Sequence, residues 1–284
     1  MSHIAQECNT LSPAGAPAAP HAPAAPASPA APASPDRRPR PFTARSVLAS
    51  TLLGTDPPEL PVSHLVRLAG LFGISGNRAR VALSRMVAAG EVTTAGDGRY
   101  RLAGHLDARG RRQHVSRAGV TGPWSGAWHL VAVVSSGSPA PERSRRRAAF
   151  TYARLAELRD GVWMRPANLP LDLGGIAPGD IEVLEARPPD PQGLAGRMWD
   201  LDGWAARARA LAAALEGAPP DAGSLADGFV LAAAVLRHLQ ADPLLPAELL
   251  PEGWPGARLR STFDDWDRRY RALLASWARG VHSA

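Results

Sequence analysis

Residues 75–90, SGNRARVALSRMVAAG, decide the interpretation of the whole chain. At about 100° per residue, an α-helix over this stretch has one apolar side. The residues on that side are Ala79, Ala82, Leu83, Met86 and Val87. Ser75 can cap the helix N-terminus by accepting a backbone N–H, and Gly90 suits the position just after a helix end. The stretch therefore predicts an amphipathic helix with one face for a core and one polar face.

The polar face carries side-chain types that read base edges in DNA. Arginine binds guanine through two hydrogen bonds, asparagine suits adenine, and serine tolerates either base. The candidate DNA-binding residues are Ser75, Asn77, Arg78, Arg80, Val81, Ser84 and Arg85, with Arg80 at the margin of the face. Considered alone, the same face would also suit an ordinary solvated surface helix.

The segments on either side favour DNA binding. Residues 61–72 have apolar positions at helical spacing, and Gly73 starts a tight connection to the next helix. Residues 91–94 and Arg99–Leu102 form two short strands around a glycine-containing turn. A helix-turn-helix followed by such a hairpin is a winged helix-turn-helix, whose second helix enters the major groove. Arg99, near the tip of the wing, is placed to contact a phosphate or the minor groove.

The charge distribution agrees with a DNA interface. The chain of 284 residues has a formal net charge of +6, and all 32 basic residues are arginine. Residues 36–117 contain fourteen arginines against six acidic residues, whereas residues 118–284 contain eighteen against nineteen. The positive excess therefore coincides with the winged helix and a basic connector over residues 104–121, as a polyanion-binding surface requires. We expect the connector arginines to neutralise phosphates.

Several other classes of protein are disfavoured. Cys8 is the only cysteine, so neither an intramolecular disulfide nor a cysteine metal cluster can form in this sequence. The N-terminus lacks the charged start and apolar core of a signal peptide. The apolar runs fall short of a membrane span. We expect a cytoplasmic protein with no membrane role, no metal and no cofactor.

Outside the winged helix, the chain divides into three further parts. Residues 1–41 form a Pro/Ala-rich tail with a proline at every third position from 17 to 35, typical of an extended, disordered spacer. Residues 122–190 show a strand, a charged helix over 141–159 and two further strands, which suggests a small ferredoxin-like sheet. Residues 191–284 have the apolar spacing of helices over residues 201–215, 225–240 and 257–279. The predicted fold class is α+β, and the winged domain occupies residues 42–103.

Segments spread along the folded part resemble a known family. They read LFGISGNRARVALSRMVAAGEV and GRYRL in the winged helix, WSGAWHLVAVV and GVWMRPANL in the middle, and MWDLDGW and ADPLLPAELLPEGWPG in the helical part. In this order and spacing they resemble the PaaX-type transcriptional regulators, named for repression of phenylacetic acid degradation. The Pro/Ala-rich tail lies outside the pattern.

The resemblance implies a homodimeric repressor that binds double-stranded operator DNA. It implies a winged helix, a middle domain similar to the Cas2 fold and a helical C-terminal regulatory domain. It also implies release from DNA by a CoA thioester, such as phenylacetyl-CoA. The residues that match the DNA-reading pattern of the family are Asn77, Arg78, Arg80, Ser84 and Arg85.

The effector site is less well defined by the sequence. Arg143 and Arg146, in the run RSRRR, could clamp a CoA phosphate, extend the DNA surface or lie on a solvated helix face. Trp163 and Arg165 could line an acyl-CoA pocket, with the aromatic ring against the thioester and the cation against a phosphate. Core packing is the alternative for Trp163.

Two other functions compete with repression. Activation or dual regulation, with a different small-molecule effector, would use the same DNA-binding surface. A Cas2-like nuclease would need a metal-binding carboxylate at the end of its first strand, where this chain has VVSS over residues 133–136. We interpret Asp264, Asp265 and Asp267 as a solvated helix face, and residues 242–246 as a turn that positions the last helix.

Overall fold

A computed structural model of the protein describes residues 42–55, 57–135 and 137–279, apart from the side chains of Pro178, Ala278 and Arg279. The Pro/Ala-rich tail of residues 1–41, including Cys8, lies outside the described residues. The described chain combines many helices with two small antiparallel sheets, so the predicted α+β class is confirmed.

The N-terminal part contains three helices and a three-stranded sheet. Its elements are α1 (Ala44–Leu53), β1 (Glu59–Pro61), α2 (Val62–Gly70), α3 (Gly76–Ala88), β2 (Val92–Thr94) and β3 (Arg99–Leu102). The strand order is β1-β3-β2. The sequence predicted the β2–β3 hairpin but not β1, because two prolines precede this strand and only three residues pair with β3.

The apolar side of α3 packs into the core of this part. Ala79, Leu83 and Met86 are buried, and Leu83 and Met86 pack with buried side chains of α1 and α2. Val87, which we placed on the same face, is 39% exposed. At 100° per residue Val87 points to the margin of the stripe that Ala79, Leu83 and Met86 define, so the core covers it only in part.

The predicted basic connector is a helix, α4 (Gly104–Ala118), with Leu106, Gln113 and Ser116 buried. Two of its arginines bind other parts of the protein. Arg112 donates to the backbone carbonyls of residues 151 and 152, and Arg117 forms ion pairs with two aspartates of the last helix. The expectation that the connector arginines all neutralise phosphates is therefore wrong for these two side chains.

The middle part builds a four-stranded sheet with one helix. Its elements are β4 (Trp128–Val133), α5 (Ala140–Tyr152), β5 (Ala156–Arg159), β6 (Val162–Pro166) and β7 (Ile181–Ala186). The strand order is β5-β6-β4-β7, and every neighbouring pair is antiparallel. The predicted helix over 141–159 is too long, because Arg154 adopts a φ of 62° that ends the helix before β5.

The C-terminal part is helical. It contains α6 (Pro191–Met198), α7 (Leu201–Gly217), α8 (Leu225–Gln240) and α9 (Gly256–Arg279). The last three match the predicted helices closely. Their shared core includes Trp204, Leu211, Val235, Phe263 and Trp266.

We expected every apolar run to fall short of a membrane span, but one segment of the C-terminal part is long and apolar enough. By length and composition alone, Ala222–Gln240 is apolar enough to cross a membrane, with a mean hydropathy of 1.3. In the structure its helix α8 packs against α7 and α9 and buries Ala232, Val235 and Leu239. A single such segment is weak evidence for a span, because the core helix of a globular protein meets the same criteria.

The interpretation of the acidic run on α9 as a solvated face is wrong for Asp267 and partly wrong for Asp264, whereas Asp265 is exposed as expected. Asp267 is 4% exposed and accepts hydrogen bonds from Arg117 Nη1 at 2.5 Å and Arg271 Nε at 2.7 Å. Asp264 also accepts from Arg117, whereas Asp265 pairs only with the exposed Arg268. Helical spacing alone did not reveal this, because the partner arginine comes from α4, far away in the sequence.

The turn over residues 242–246 positions the last helix, as we expected. Asp242 is buried, accepts the backbone N–H of Leu244 at 2.9 Å, and pairs with Arg260 of α9 at 2.8 Å. The buried Arg154 donates to the backbone carbonyl of Asp242 and to Ser116 of α4. The turn therefore joins the middle sheet, α4 and α9.

Candidate nucleic-acid interface

Helix α3 presents its polar face to solvent. Ser75 caps the helix by accepting the backbone N–H of Arg78 at 3.4 Å. All the candidate side chains on this helix are exposed: Ser75, Asn77, Arg78, Arg80, Val81, Ser84 and Arg85. The sequence therefore predicted correctly which face of α3 is accessible.

The three arginines on this face have no partner among the residues that the structure describes. Among the described residues, no hydrogen bond or ion pair involves the guanidinium groups of Arg78, Arg80 or Arg85. Long cationic side chains that are exposed and unpaired can reach a polyanion without first breaking an internal bond. Their charges are therefore available to nucleic acid.

A hollow of about 520 Å³ lies between α3 and the start of α1. Asn77, Arg78, Val81 and Arg85 line it on the α3 side. On its floor Arg45 Nε donates to Glu91 Oε2 at 2.8 Å, and this hydrogen bond lowers the pKa of Glu91 below its ordinary value. The pair holds α1 to the end of α3 and neutralises a carboxylate that would repel phosphates.

Sequence reasoning missed this pair. Arg45 and Glu91 are 46 positions apart, so no local periodicity connects them. The hint in the sequence was that Glu91 lies between Gly90, just after the helix end, and the apolar Val92, where an unpaired carboxylate would be costly to bury.

Arg99 is engaged within the protein. Its Nε donates to Glu59 Oε1 at 2.5 Å, and Arg101 donates to the other oxygen of the same carboxylate at 2.8 Å through Nε. These hydrogen bonds lower the pKa of Glu59. We predicted that Arg99 contacts a phosphate without expecting strand β1. This strand places Glu59 beside Arg99. Arg99 lies instead beside a cavity shared with the C-terminal helices.

The four predicted effector residues do not form one pocket. Arg165 is 3% exposed and donates to the carbonyls of Pro166 and Ala153 and to Asn168 Oδ1, at 2.9–3.1 Å. Burial lowers its pKa to about 10. With its donors committed to the protein interior, Arg165 is a structural cation and cannot reach a CoA phosphate.

The other three effector candidates also make internal contacts. Trp163 is buried against Phe150, with ring centroids 5.2 Å apart, which fits the core-packing alternative. Arg143 donates to the carbonyl of Ser138 at 2.6 Å, and Arg146 donates to Ser135 Oγ at 3.1 Å. These arginines hold the loop after β4 against α5.

The described residues can be compared with the metal site that a Cas2-like nuclease would need. Within residues 42–55, 57–135 and 137–279, no group of three or more His, Cys, Asp or Glu side chains could hold a metal ion. At the end of β4, the backbone N–H of Val134 donates to the carbonyl of Asp180, and the carboxylate that a Cas2-like nuclease would need is absent from β4 itself.

Two family models match the chain. Residues 43–106 match the PaaX-like protein and residues 199–279 match the PaaX-like protein C-terminal domain. The chain belongs to the PaaX-like family. The uncharacterized protein Rv0674 from Mycobacterium tuberculosis has a similar structure, with 43% sequence identity and a TM-score of 0.66 over 82% of this chain and 98% of that chain. No protein of curated function matches the sequence.

PaaX-like proteins form a family of transcriptional regulators, generally of phenylacetate catabolism. DNA binding is a property of the family as a whole. The match over residues 43–106 includes the complete exposed face of α3.

Proposed function

We propose that this PaaX-like protein is a repressor that reads operator DNA with α3 and leaves it when a CoA thioester binds. The unpaired, exposed Arg78, Arg80 and Arg85 on one helix face carry this proposal. In this account Asn77, Ser84 and the arginines contact base edges, while Ser75 and Val81 lie at the groove.

The arrangement around α3 supports a winged helix-turn-helix over residues 42–103. Helix α2 is followed by a five-residue connection and then by α3, and the hairpin of β2 and β3 comes next. In this architecture the second helix of the pair enters the major groove. Residues 104–121 then form the connecting helix α4.

The strand order of the middle sheet supports a ferredoxin-like, Cas2-like domain over residues 122–190. The strands β4, β5, β6 and β7 lie in the order β5-β6-β4-β7 with antiparallel pairing, which places the first and third strands at the centre. A loop occupies the position of a second crossover helix between β6 and β7. Residues 191–284 then form the helical regulatory domain.

A homodimer is part of the proposal. The edge strand β7 exposes Val183 and Leu184, on opposite faces of the sheet. An edge strand with exposed apolar side chains is suited to pair with a second copy. A two-fold dimer would place two α3 helices on related half-sites about one helical turn of DNA apart, or a multiple of that distance.

The effector in this proposal is an acyl-CoA, with phenylacetyl-CoA the first compound to test. Release requires that the ligand bind the DNA-incompetent arrangement more tightly than the competent one, because equal affinity shifts no population. A coupling of about 1–3 kcal/mol is typical of such regulators. The protein would act in the cytoplasm on chromosomal DNA, without a cofactor or membrane.

Fluorescence anisotropy of the full-length protein on labelled DNA tests the proposal. The probes are the DNA upstream of its own gene and a shuffled duplex of equal composition. We expect tighter binding to the first, a steep fall in affinity with salt, and release by phenylacetyl-CoA. Equal affinity for both duplexes would contradict sequence-specific regulation, and activation of transcription by the bound protein would contradict repression.

A further inference from the structure

A second cavity, also of about 520 Å³, lies between the N-terminal part and the C-terminal helices. Its volume is in the range of small-molecule sites, roughly 300–1,000 Å³. Much of its wall is apolar and comes from four helices and β1. Its apolar side chains include Leu53, Leu60, Leu68, Phe229, Ala233, Leu236 and Leu274.

The cavity has a positive balance of charge. Among its described lining residues, Arg99, Arg109, Arg237 and Arg271 are cations and only Glu59 and Asp267 are acids. Arg99 is neutralised by Glu59, and Arg271 by Asp267.

Two of these cations have no hydrogen-bond or ion-pair partner among the described residues. In the part of the chain that the structure describes, neither Arg109 of α4 nor Arg237 of α8 makes a hydrogen bond or an ion pair. An apolar chamber with two unpaired arginines at its edge favours a ligand with an apolar body and an anionic group.

We propose that this cavity is the effector site, and that it binds an organic anion with an aryl or acyl group. The apolar group would lie among Leu68, Phe229 and Leu236, and the anion would bind Arg237 and Arg109. This inference rests on the proposed function and deepens it, because it locates the regulation that a DNA-releasing ligand requires. It also replaces Arg143, Arg146, Trp163 and Arg165 as candidate effector residues.

The position of the cavity connects the ligand to the DNA-reading helix. Leu68 belongs to α2, and α2 packs directly against α3. On the opposite wall, Phe229 and Leu236 belong to α8. A ligand that spans these walls changes the preferred distance between α2 and α8, and α2 carries that change to α3.

Two ligand sources share this chemistry. A free aryl acid such as phenylacetate presents a carboxylate, whereas its CoA thioester presents phosphates at a distance from the acyl group. Isothermal titration of the full-length protein without DNA distinguishes them, using phenylacetate, phenylacetyl-CoA and CoA without an acyl group as probes. A protein that binds phenylacetyl-CoA but not CoA recognises the acyl group, and the variants below test whether this group lies in the cavity.

Two variants test the location. Ala233→Phe fills the cavity from α8, and Arg237→Gln removes an unpaired cation at its edge. Arg209→Gln, on the exposed side of α7, is the matched control for loss of one arginine. We expect both cavity variants to bind the effective probe at least about tenfold more weakly, and Arg209→Gln to bind it as the unaltered protein does.

DNA binding is measured on the same proteins, so that the two proposals can fail separately. We expect Ala233→Phe and Arg237→Gln to bind the upstream DNA with unchanged affinity and to stay bound when the probe is added. Unchanged probe affinity in both variants would overturn the cavity assignment, as would failure of all three probes to bind the unaltered protein. Absence of specific DNA binding would overturn the proposed function but leave the titration result standing.

Discussion

The rings of Phe72 and Phe229 meet edge to face, with their centroids 5.0 Å apart. Phe72 lies in the turn between α2 and α3, and Phe229 lies on α8. Phe42 completes the cluster at 5.0 Å from Phe72. The turn that positions α3, the proposed DNA-reading helix, is therefore packed directly against a helix of the C-terminal part.

Truncating Phe229 should weaken this contact. We expect Phe229→Ala to lower the free energy of unfolding by about 2–3 kcal/mol, less than for a fully buried phenylalanine because Phe229 is only partly buried. Its neighbour Val230 is 43% exposed, so Val230→Ala should cost less than about 0.5 kcal/mol. Urea denaturation of both variants measures the difference, and equal costs would show that the aromatic cluster contributes nothing to stability.

The aspartates of α9 offer a second matched comparison. Asp267→Asn removes the charge that Arg117 and Arg271 share in a buried site, and we expect a loss of about 3–5 kcal/mol. Asp265→Asn affects an exposed pair two positions away and should change stability by less than about 1 kcal/mol. Thermal unfolding followed by circular dichroism distinguishes the two. Similar melting temperatures would restore the interpretation of this run as a solvated face.

Arg154 offers a test of the junction between the middle sheet and the helices. Arg154→Met leaves the carbonyl of Asp242 and the hydroxyl of Ser116 without their buried donor, at a cost of about 1–3 kcal/mol. Burial lowers the pKa of Arg154 to about 10, so the loss should be nearly constant from pH 6 to pH 8. Arg159→Met, on the exposed end of β5, is the control. A cost no larger than that of the control would show that these hydrogen bonds contribute no net stability.

Stability should decrease on mild acidification. Burial lowers the pKa of His238, which stacks on Trp204, and burial also lowers the pKa of His129. The unfolded chain therefore takes up protons near pH 6.5 while the folded protein keeps these rings neutral, so stability is lost as the pH falls through about 6.5. Denaturant midpoints at pH 7.5 and pH 5.5 measure the effect. His238→Gln should reduce the difference, and an unchanged difference in this variant would exclude His238 as its source.

Local patterns in the sequence predicted much of the structure around α3. The cap at Ser75, the exposed face of α3 and the hairpin after it depend on neighbouring residues, and each lies where the sequence placed it. The helices α7, α8 and α9 were also predicted from local patterns, because their apolar spacing extends over several turns.

Long-range pairing explains most of what the sequence did not show. The partner of Arg99 is Glu59 on an unexpected three-residue strand, and the partner of Arg117 is Asp267 at the other end of the chain. Arg165 carries the same charge as Arg85, yet one is buried and the other exposed. Composition cannot separate such arginines, because their roles depend on which distant residues the fold brings beside them.

The central claim is that α3 reads base sequence, and the Arg85→Ala variant tests it most directly. Its affinity for the upstream DNA and for the shuffled duplex is compared with that of Arg145→Ala, an exposed arginine on α5. We predict that Arg85→Ala loses about 1–3 kcal/mol on the upstream DNA and much less on the shuffled duplex, while Arg145→Ala changes neither. An equal loss on both duplexes would contradict base reading by Arg85 and make it a phosphate contact.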